Sequence, residues 1–452
     1  MSKSKEKYGL FTAIAMIVGV CIGSGIFFKS DNILSATGGS ISLGVIVFAL
    51  AAISIVFGGL TISLLAQSTD KPGGVITYAE EFCGKKTACV FGWFQIFVYF
   101  PTITVIISWA VGIYTCILFN INLTLLNQML IGLVAGFACF LYNALYSRFG
   151  GLIQRVSTII KLIPLLLFAV CGIIFGDPIA GLKNVPVQEA TGALWISAVG
   201  PIAYSFDGWI ISTGISHEIR KSKKNLPIAL IVAPLIVLAV YVLYFVGITS
   251  YAGADNVLAL GDGHVTFAAT QLLGSFFAKV VTVVVVISVF GTLNGVILGY
   301  IRIPYSLSLR IGMVPFENKL SKINEKADMP LNSAIFAAVI CAFWWVIHFI
   351  MQNFNLLPNS DISEISIAVS YGMYAVLYIK VLKMNLTNHS KNYLRGVISP
   401  VLACVGSAFI LYGTVATAGS ARDLLIKVIC AMICVAVMLV SLMYYSKKVK
   451  TI

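Results

Sequence analysis

Two charged side chains stand where the chain is otherwise apolar. Lys161 lies within Ile159-Ile160-Lys161-Leu162-Ile163, and Asp207 within Tyr204-Ser205-Phe206-Asp207-Gly208-Trp209. A third stretch, Cys21-Ile22-Gly23-Ser24-Gly25-Ile26-Phe27, sets two glycines around a serine inside another apolar run. At the centre of a membrane-crossing helix a charge costs about 2.5–3.5 kcal/mol, and such charges mark pathways or hold partners. The blander reading of Lys161 and Asp207 is a single structural ion pair. Glycine lowers helix propensity by about 1 kcal/mol relative to alanine, so Gly-Ser-Gly favours local unwinding. Small residues also serve close helix contacts, and either stretch alone allows both readings. An unwound span leaves free carbonyls on the half that ends, near Cys21 in the first run and Tyr204 to Asp207 in the sixth. It leaves free N–H groups and a positive dipole end on the half that begins, near Ile26. Donors for an anion beside acceptors for an ammonium match the two charges of an α-amino acid.

Other chemistries find little to build on. The ten cysteines form no CxxC pair, and His217, His264, His348 and His389 are scattered, so neither a disulfide framework, a metal site nor a cofactor is implied. Ser24 would need a base within hydrogen-bond reach to act as a nucleophile, and only His348 lies in an apolar run, the ninth. No P-loop pattern occurs. The chain reads as no enzyme, with a channel or receptor as the remoter rival to a carrier.

The elements that must position these residues are membrane spans. Of 452 residues 59% are apolar and 10% charged, and the mean hydropathy is +0.97. A soluble domain carries about a quarter charged residues, so the surface here must meet a lipid bilayer. Apolar runs long enough to cross about 30 Å as helix lie near 9–28, 41–67, 87–118, 125–146, 151–175, 191–216, 225–250, 277–301, 331–352, 362–379, 396–418 and 424–445; the run 265–276 is too short and belongs to a loop. The expectation is an all-α polytopic membrane protein of about 12 transmembrane helices. No cleavage site follows the first run, so it is expected to stay in the mature chain. With the N-terminus on the cytoplasmic side, 24 of the 30 Lys and Arg face the cytoplasm; five (Lys29, Lys183, Lys279, Arg422, Lys427) face away, and Lys161 stays within a span. That asymmetry predicts both termini in the cytoplasm and a multi-pass protein of the cell membrane. The net charge of +13 is thereby explained without nucleic acid.

The Gly-Ser-Gly and Phe-Asp-Gly-Trp stretches fall in spans 1 and 6, corresponding places in two five-span halves, and paired interrupted spans are the strongest sequence pointer to a transporter's binding site. The chain resembles the bacterial L-type amino acid transporters of the amino acid–polyamine–organocation superfamily. The markers are Gly23-Ser24-Gly25-Ile26-Phe27, Pro72-Gly73-Gly74 with Tyr78, Gly92-Trp93 with Pro101, Gly150-Gly151 with Gln154 and Lys161, Phe206-Asp207-Gly208-Trp209, and Ser288-Val289-Phe290-Gly291 with Asn294-Gly295. Departures are Ser63-Leu64, where the family often has Ala-Glu, together with His217-Glu218 in place of an acidic pair and Ser222 in place of a proline.

The resemblance implies the LeuT-type fold: a transport core over 1–395 with inverted repeats at about 9–175 and 191–383, then spans 11 and 12 over 396–452. It further implies that Ser24 and Gly25 bind the substrate carboxylate, that Gly23 shapes the first break, that the carbonyls of Cys21, Tyr204 and Asp207 take the ammonium, and that Gly208 belongs to the same substrate-binding set. Tyr204 would be an aromatic gate, and Lys161 would occupy the place of a sodium ion. The expected activity is sodium-independent exchange of small neutral amino acids such as Ala, Ser, Thr or Gly, with proton coupling or a broader neutral and cationic range as alternatives. Eukaryotic relatives pair covalently with a glycoprotein through a cysteine between spans 3 and 4; Asn120-Ile121-Asn122-Leu123-Thr124 has none, so no covalent partner is expected.

Overall fold

The computed structural model describes residues 9–23, 25–69, 71, 74–146, 153, 156–157, 159–183, 194–210, 219–324, 327, 329–387, 393–416 and 418–450. Ser24, Pro72, Gly73, Gly150, Gly151, Gln154, His217, Glu218 and His389 lie outside them.

The main helices in chain order are α1 (Leu10–Cys21), α2 (Gly25–Ala36), α3 (Ile41–Gln67), α4 (Lys85–Phe119), α5 (Leu125–Leu145), α6 (Leu162–Phe175) and α7 (Leu194–Ser205). They continue with α8 (Ser222–Ala252), α9 (His264–Tyr300), α10 (Leu331–Asn353), α11 (Ile362–Thr387), α12 (Leu394–Val415) and α13 (Ala421–Val449). Among the described residues nine helices are long and apolar enough to cross a membrane, and three apolar helices are shorter: Leu10–Gly19, Leu162–Phe175 and Leu194–Ser205. The short ones belong to spans 1, 5 and 6. The first span runs further than hydropathy alone indicates, to Ala36, because α2 resumes directly after the break. The run expected to lie in a loop is the first part of α9, set off from the spanning part by a bend at Gly274.

Side-chain distribution shows how the chain meets lipid. On α6 and the turn before it, Ile159, Ile163, Leu166, Val170 and Ile174 are exposed, whereas Lys161, Leu165, Phe168, Ala169 and Gly172 are buried. The exposed set repeats every three to four residues, one stripe of a helix. With no water to satisfy backbone groups in a bilayer, a spanning segment must bond its backbone internally, as these helices do. The buried stripe of α6 packs on α8, α8 packs on α1 and α3, and α7 packs on α2 and α11. The two interrupted spans are thereby brought together in the interior. Below, the side of the molecule that carries Asn120–Thr124 is called the distal face.

Candidate functional site

The first break is short. α1 ends at Cys21, Ile22 turns to extended backbone (φ −70°, ψ 102°), and α2 begins at Gly25. A helix that stops leaves its last carbonyls without intrahelical partners, and three can be accounted for. Val18 accepts from the Ile22 N–H at 2.8 Å. Gly19 accepts from the Lys161 ammonium, which reaches in from the turn before α6. Cys21 accepts from the Tyr241 hydroxyl of α8 at 2.8 Å. The same hydroxyl lies 2.8 Å from the Ser205 carbonyl, where α7 ends. One phenol thus bridges the two breaks.

The second break follows Ser205. Phe206 to Gly208 form a turn, and Gly208 has φ +97°, a left-handed value that side chains resist. Its neighbour Asp207 accepts a hydrogen bond from the Tyr99 hydroxyl at 2.6 Å. Tyr99 closes a π-turn, Gln95–Tyr99, inside α4; such turns re-aim side chains and recur at functional sites. Asp207 and Lys161 form no ion pair among the described residues, which removes the bland reading of the two charges.

The glycines of the first break are dictated by proximity. A Cβ on Gly25 would come 2.6 Å from the Ser205 Cα, a backbone atom that cannot step aside; one on Gly23 would come 2.9 Å from both Cγ2 and Oγ1 of Thr292 on α9. The chain around Gly25 therefore meets Ser205, and Gly23 meets Thr292. Ser288, one turn before Thr292 on α9, is fully buried with no hydrogen-bond partner for its hydroxyl among the described residues.

Sequence reasoning missed a second cluster. Lys29, expected among the residues facing away from the cytoplasm, is 1% exposed. It lies in α2, and its ammonium donates to Asp361 Oδ2 and to Glu364 Oε1, both at 2.5 Å. Asp361 caps the start of α11 by accepting the Ser363 N–H at 2.8 Å and the Glu364 N–H at 3.3 Å. Glu364 also accepts from the Ser360 hydroxyl at 2.8 Å. The Lys29 ammonium lies 5.0 Å from the centre of the Tyr204 ring, within cation–π range. Two signals in the sequence could have found the cluster. No Gly or Pro interrupts the chain between Lys29 and Gly38, so helix can run on past the lysine, and Asp361-Ile362-Ser363-Glu364 has the acid-to-acid spacing of a capped helix start. Lys427, also expected to face away from the cytoplasm, is 5% exposed and pairs with Asp423 at 3.4 Å.

His348, the one histidine in an apolar run, is buried edge-on against Trp109, ring centres 4.8 Å apart. Its Nε2 has no hydrogen-bond partner among the described residues. Cys116 is buried on α4, the α4–α5 connection is Asn120–Thr124, and all ten cysteines are free.

The arrangement is that of a carrier: two interrupted spans meeting at an interior point, with a lysine and a tyrosine on the carbonyls of the broken ends, and an aromatic ring under a buried ion cluster. Comparison with known proteins agrees. The chain is similar to the serine/threonine exchanger SteT of Bacillus subtilis, 30% identical over 91% of this chain and 92% of that protein. It is also similar to the human b(0,+)-type amino acid transporter 1, 26% identical over 90% of this chain and 82% of that one, and to the human Asc-type amino acid transporter 1, 26% identical over 78% and 67%. The amino acid permease family profile matches residues 8–440, nearly the whole chain. With that match, the all-helical interior and the breaks in spans 1 and 6, the fold is of the LeuT type, and the chain is a multi-pass integral membrane protein that belongs to the amino acid permease family.

Proposed function

We propose that this protein exchanges small neutral L-amino acids, of the alanine, serine, threonine and glycine kind, across the cytoplasmic membrane, without sodium and by alternating access. One observation carries the sodium-independence: protein groups already occupy the broken end of α1, with the Lys161 ammonium on Gly19 and the Tyr241 hydroxyl on Cys21. A fixed ammonium supplies the hydrogen bonds those carbonyls need and repels a second cation. The similarity to a serine/threonine exchanger over almost the full length of both chains supports the substrate class. The termini lie in the cytoplasm on this reading, and the distal face is the outer one.

In the binding site, Ser24 and Gly25 hold the substrate carboxylate at the start of α2. The carbonyls of Cys21, Tyr204 and Asp207 take the ammonium, Cys21 through its second lone pair. Gly23 and Gly208 permit the breaks, Tyr204 covers the substrate, and Lys161 couples α1 to α6. No cofactor and no covalent partner is involved.

The test is uptake into proteoliposomes, with and without internal amino acid, across sodium and pH gradients. Exchange requires internal substrate and ignores sodium; strong sodium stimulation overturns the reading. Proton-coupled symport is the second reading, favoured by Lys161 being buried with its ammonium on a backbone carbonyl; accumulation driven by a pH gradient without internal substrate would establish it. Competition by all twenty amino acids fixes the range: inhibition by arginine or leucine but not by alanine or serine refutes the small-neutral assignment. Gly25→Val should abolish uptake in a protein that still folds, and amino acid amides should compete poorly.

A further inference from the structure

The connection between α8 and α9, residues 253–263, lies on the distal face and packs on α2. It carries Asp262, and α2 carries Asp31. The two acids line one cavity of ≈ 240 Å³ together with Lys29, Trp109 and Asp361. A Cβ on Gly261, the residue before Asp262, would come 3.6 Å from Asp31 Oδ2, so the α2 carboxylate lies against the backbone of the connection. Among the described residues neither acid bonds to another side chain. Lys29, the cation in the same wall, is held between Asp361 and Glu364 of α11. The other titratable groups in reach bring no positive charge. His264, at the start of α9, has Nδ1 2.6 Å from the Gly261 carbonyl, and a carbonyl only accepts, so Nδ1 carries the hydrogen. Its Nε2 is then a buried acceptor without a partner among the described residues, and burial pushes the ring pKa down. Tyr114 of α4 and Tyr244 of α8, within electrostatic reach of the acids, add buried hydroxyls that also lack partners there.

Two carboxylates in one poorly hydrated place are costly to charge together, so a proton or another cation must neutralise one of them. A metal ion fits badly. Asp31 Oδ1 is sealed from solvent, and the Lys29 ammonium stands in the same wall. A proton needs neither room nor a coordination shell. We propose that Asp31 and Asp262 form a proton-binding site on the distal face, and that the proton they share keeps the connection docked on α2. Burial first, and Asp31 second, raise the pKa of Asp262 against the opposing pull of Lys29. When the proton leaves, two like charges face each other across the contact between α2 and the connection, and the contact weakens. Since α2 starts at Gly25, in the first break, the pH of the distal side reaches one of the two broken spans. The inference concerns this contact and stands apart from which substrate is carried.

The experiment is hydrogen–deuterium exchange of the purified full chain in nanodiscs, read by mass spectrometry over residues 253–263 across a pH series and corrected for intrinsic exchange. Opening that releases one proton grows about tenfold per pH unit in the window between the open and docked pKa values. Protection of the connection should therefore fall by at least about tenfold as pH rises through that window. Asp262→Asn and Asp31→Asn each leave one acid and no pair, so each should abolish the response and keep the protection seen in acid. Where one substitution disturbs the fold, the other decides. Asp255→Asn, at an exposed position of the same connection, should leave the wild-type response intact. Protection that does not change with pH in the wild type overturns the proposal, and so does a response that survives both substitutions at Asp31 and Asp262. A response abolished by EDTA, or replaced by added calcium or sodium at constant pH, assigns the pair to a metal ion and overturns the proton site as well.

Discussion

Both halves of the broken first span are held by a buried lysine, and the two lysines do opposite things. Lys161, 2% exposed, comes from outside the span and donates to a backbone carbonyl at the end of α1. Lys29, 1% exposed, belongs to α2 and sits between two carboxylates at the start of α11. An ammonium on a carbonyl dipole is only partly compensated, and the contact breaks without leaving an opposite charge stranded. An ammonium between two carboxylates is compensated twice over, and separating it strands three charges in a poor solvent for them. The expectation from this difference is that α1, held by contacts that water or substrate can replace, moves more readily than α2, which buried ion pairs hold to α11.

The largest expected effect follows from removing the lock. Lys29→Met leaves Asp361 and Glu364 buried without a cation and should cost about 3–5 kcal/mol. Thermal unfolding of the purified protein should show a large drop, largely recovered when Asp361→Asn and Glu364→Gln are added. A single substitution as stable as the wild type would break the comparison, because it would mean that the cluster is not closed when the protein is folded.

Lys161→Met should cost less, about 1.5–3 kcal/mol, the worth of one hydrogen bond from a charged donor. The Gly19 carbonyl is left without that donor, α1 loosens, and exchange slows more strongly from one side of the membrane than from the other. Equal loss from both sides would argue that Lys161 supports the fold as a whole and not the mobility of α1.

Tyr241→Phe is smaller again, about 0.5–1.5 kcal/mol. It removes the hydroxyl between the Cys21 and Ser205 carbonyls and leaves the ring, which packs against Phe206 at 5.3 Å between centres. The apparent affinity for substrate should fall while stability changes little. Unchanged affinity would show that the bridge between the breaks is not part of the site.

The smallest effect concerns pH. Asp262, in the connection Gly261–Gly263 on the distal side, has its pKa raised, first by burial and then by the nearby Asp31 of α2. A carboxyl whose folded pKa exceeds its unfolded value holds its proton more tightly when folded. Its contribution is therefore whole below the unfolded pKa and is lost as pH rises through the window between the two values. Asp262→Asn should remove that decline and slightly raise the unfolding temperature at neutral pH, with little change in acid. A rise confined to acid would reverse the sign and refute the placement of Asp262 against Asp31.

The spans were legible because lipid exposes an error at every residue. A helix in a bilayer must hide its backbone and show apolar side chains, so composition alone outlines α3, α4, α5, α8 and α10 within a few residues. The breaks were legible from Gly23, Gly25 and Gly208, since local backbone conformation is written in local residues. Lys161 and Asp207 were visible as charges in apolar surroundings, but their partners were not. Nothing in the order of residues says that Lys161 chooses Gly19 over Asp207, that Tyr241 spans two carbonyls, or that Tyr99 meets Asp207. Lys29 shows the limit most clearly: near the end of an apolar run it reads as a residue in water, and only the start of α11, more than 330 positions away, turns it into a buried ion cluster. By itself the sequence determined where the chain crosses the membrane and where it unwinds, because those depend on neighbours along the chain. The tertiary structure alone decided which charges compensate which, because that energy depends on distance and burial between segments the sequence keeps apart.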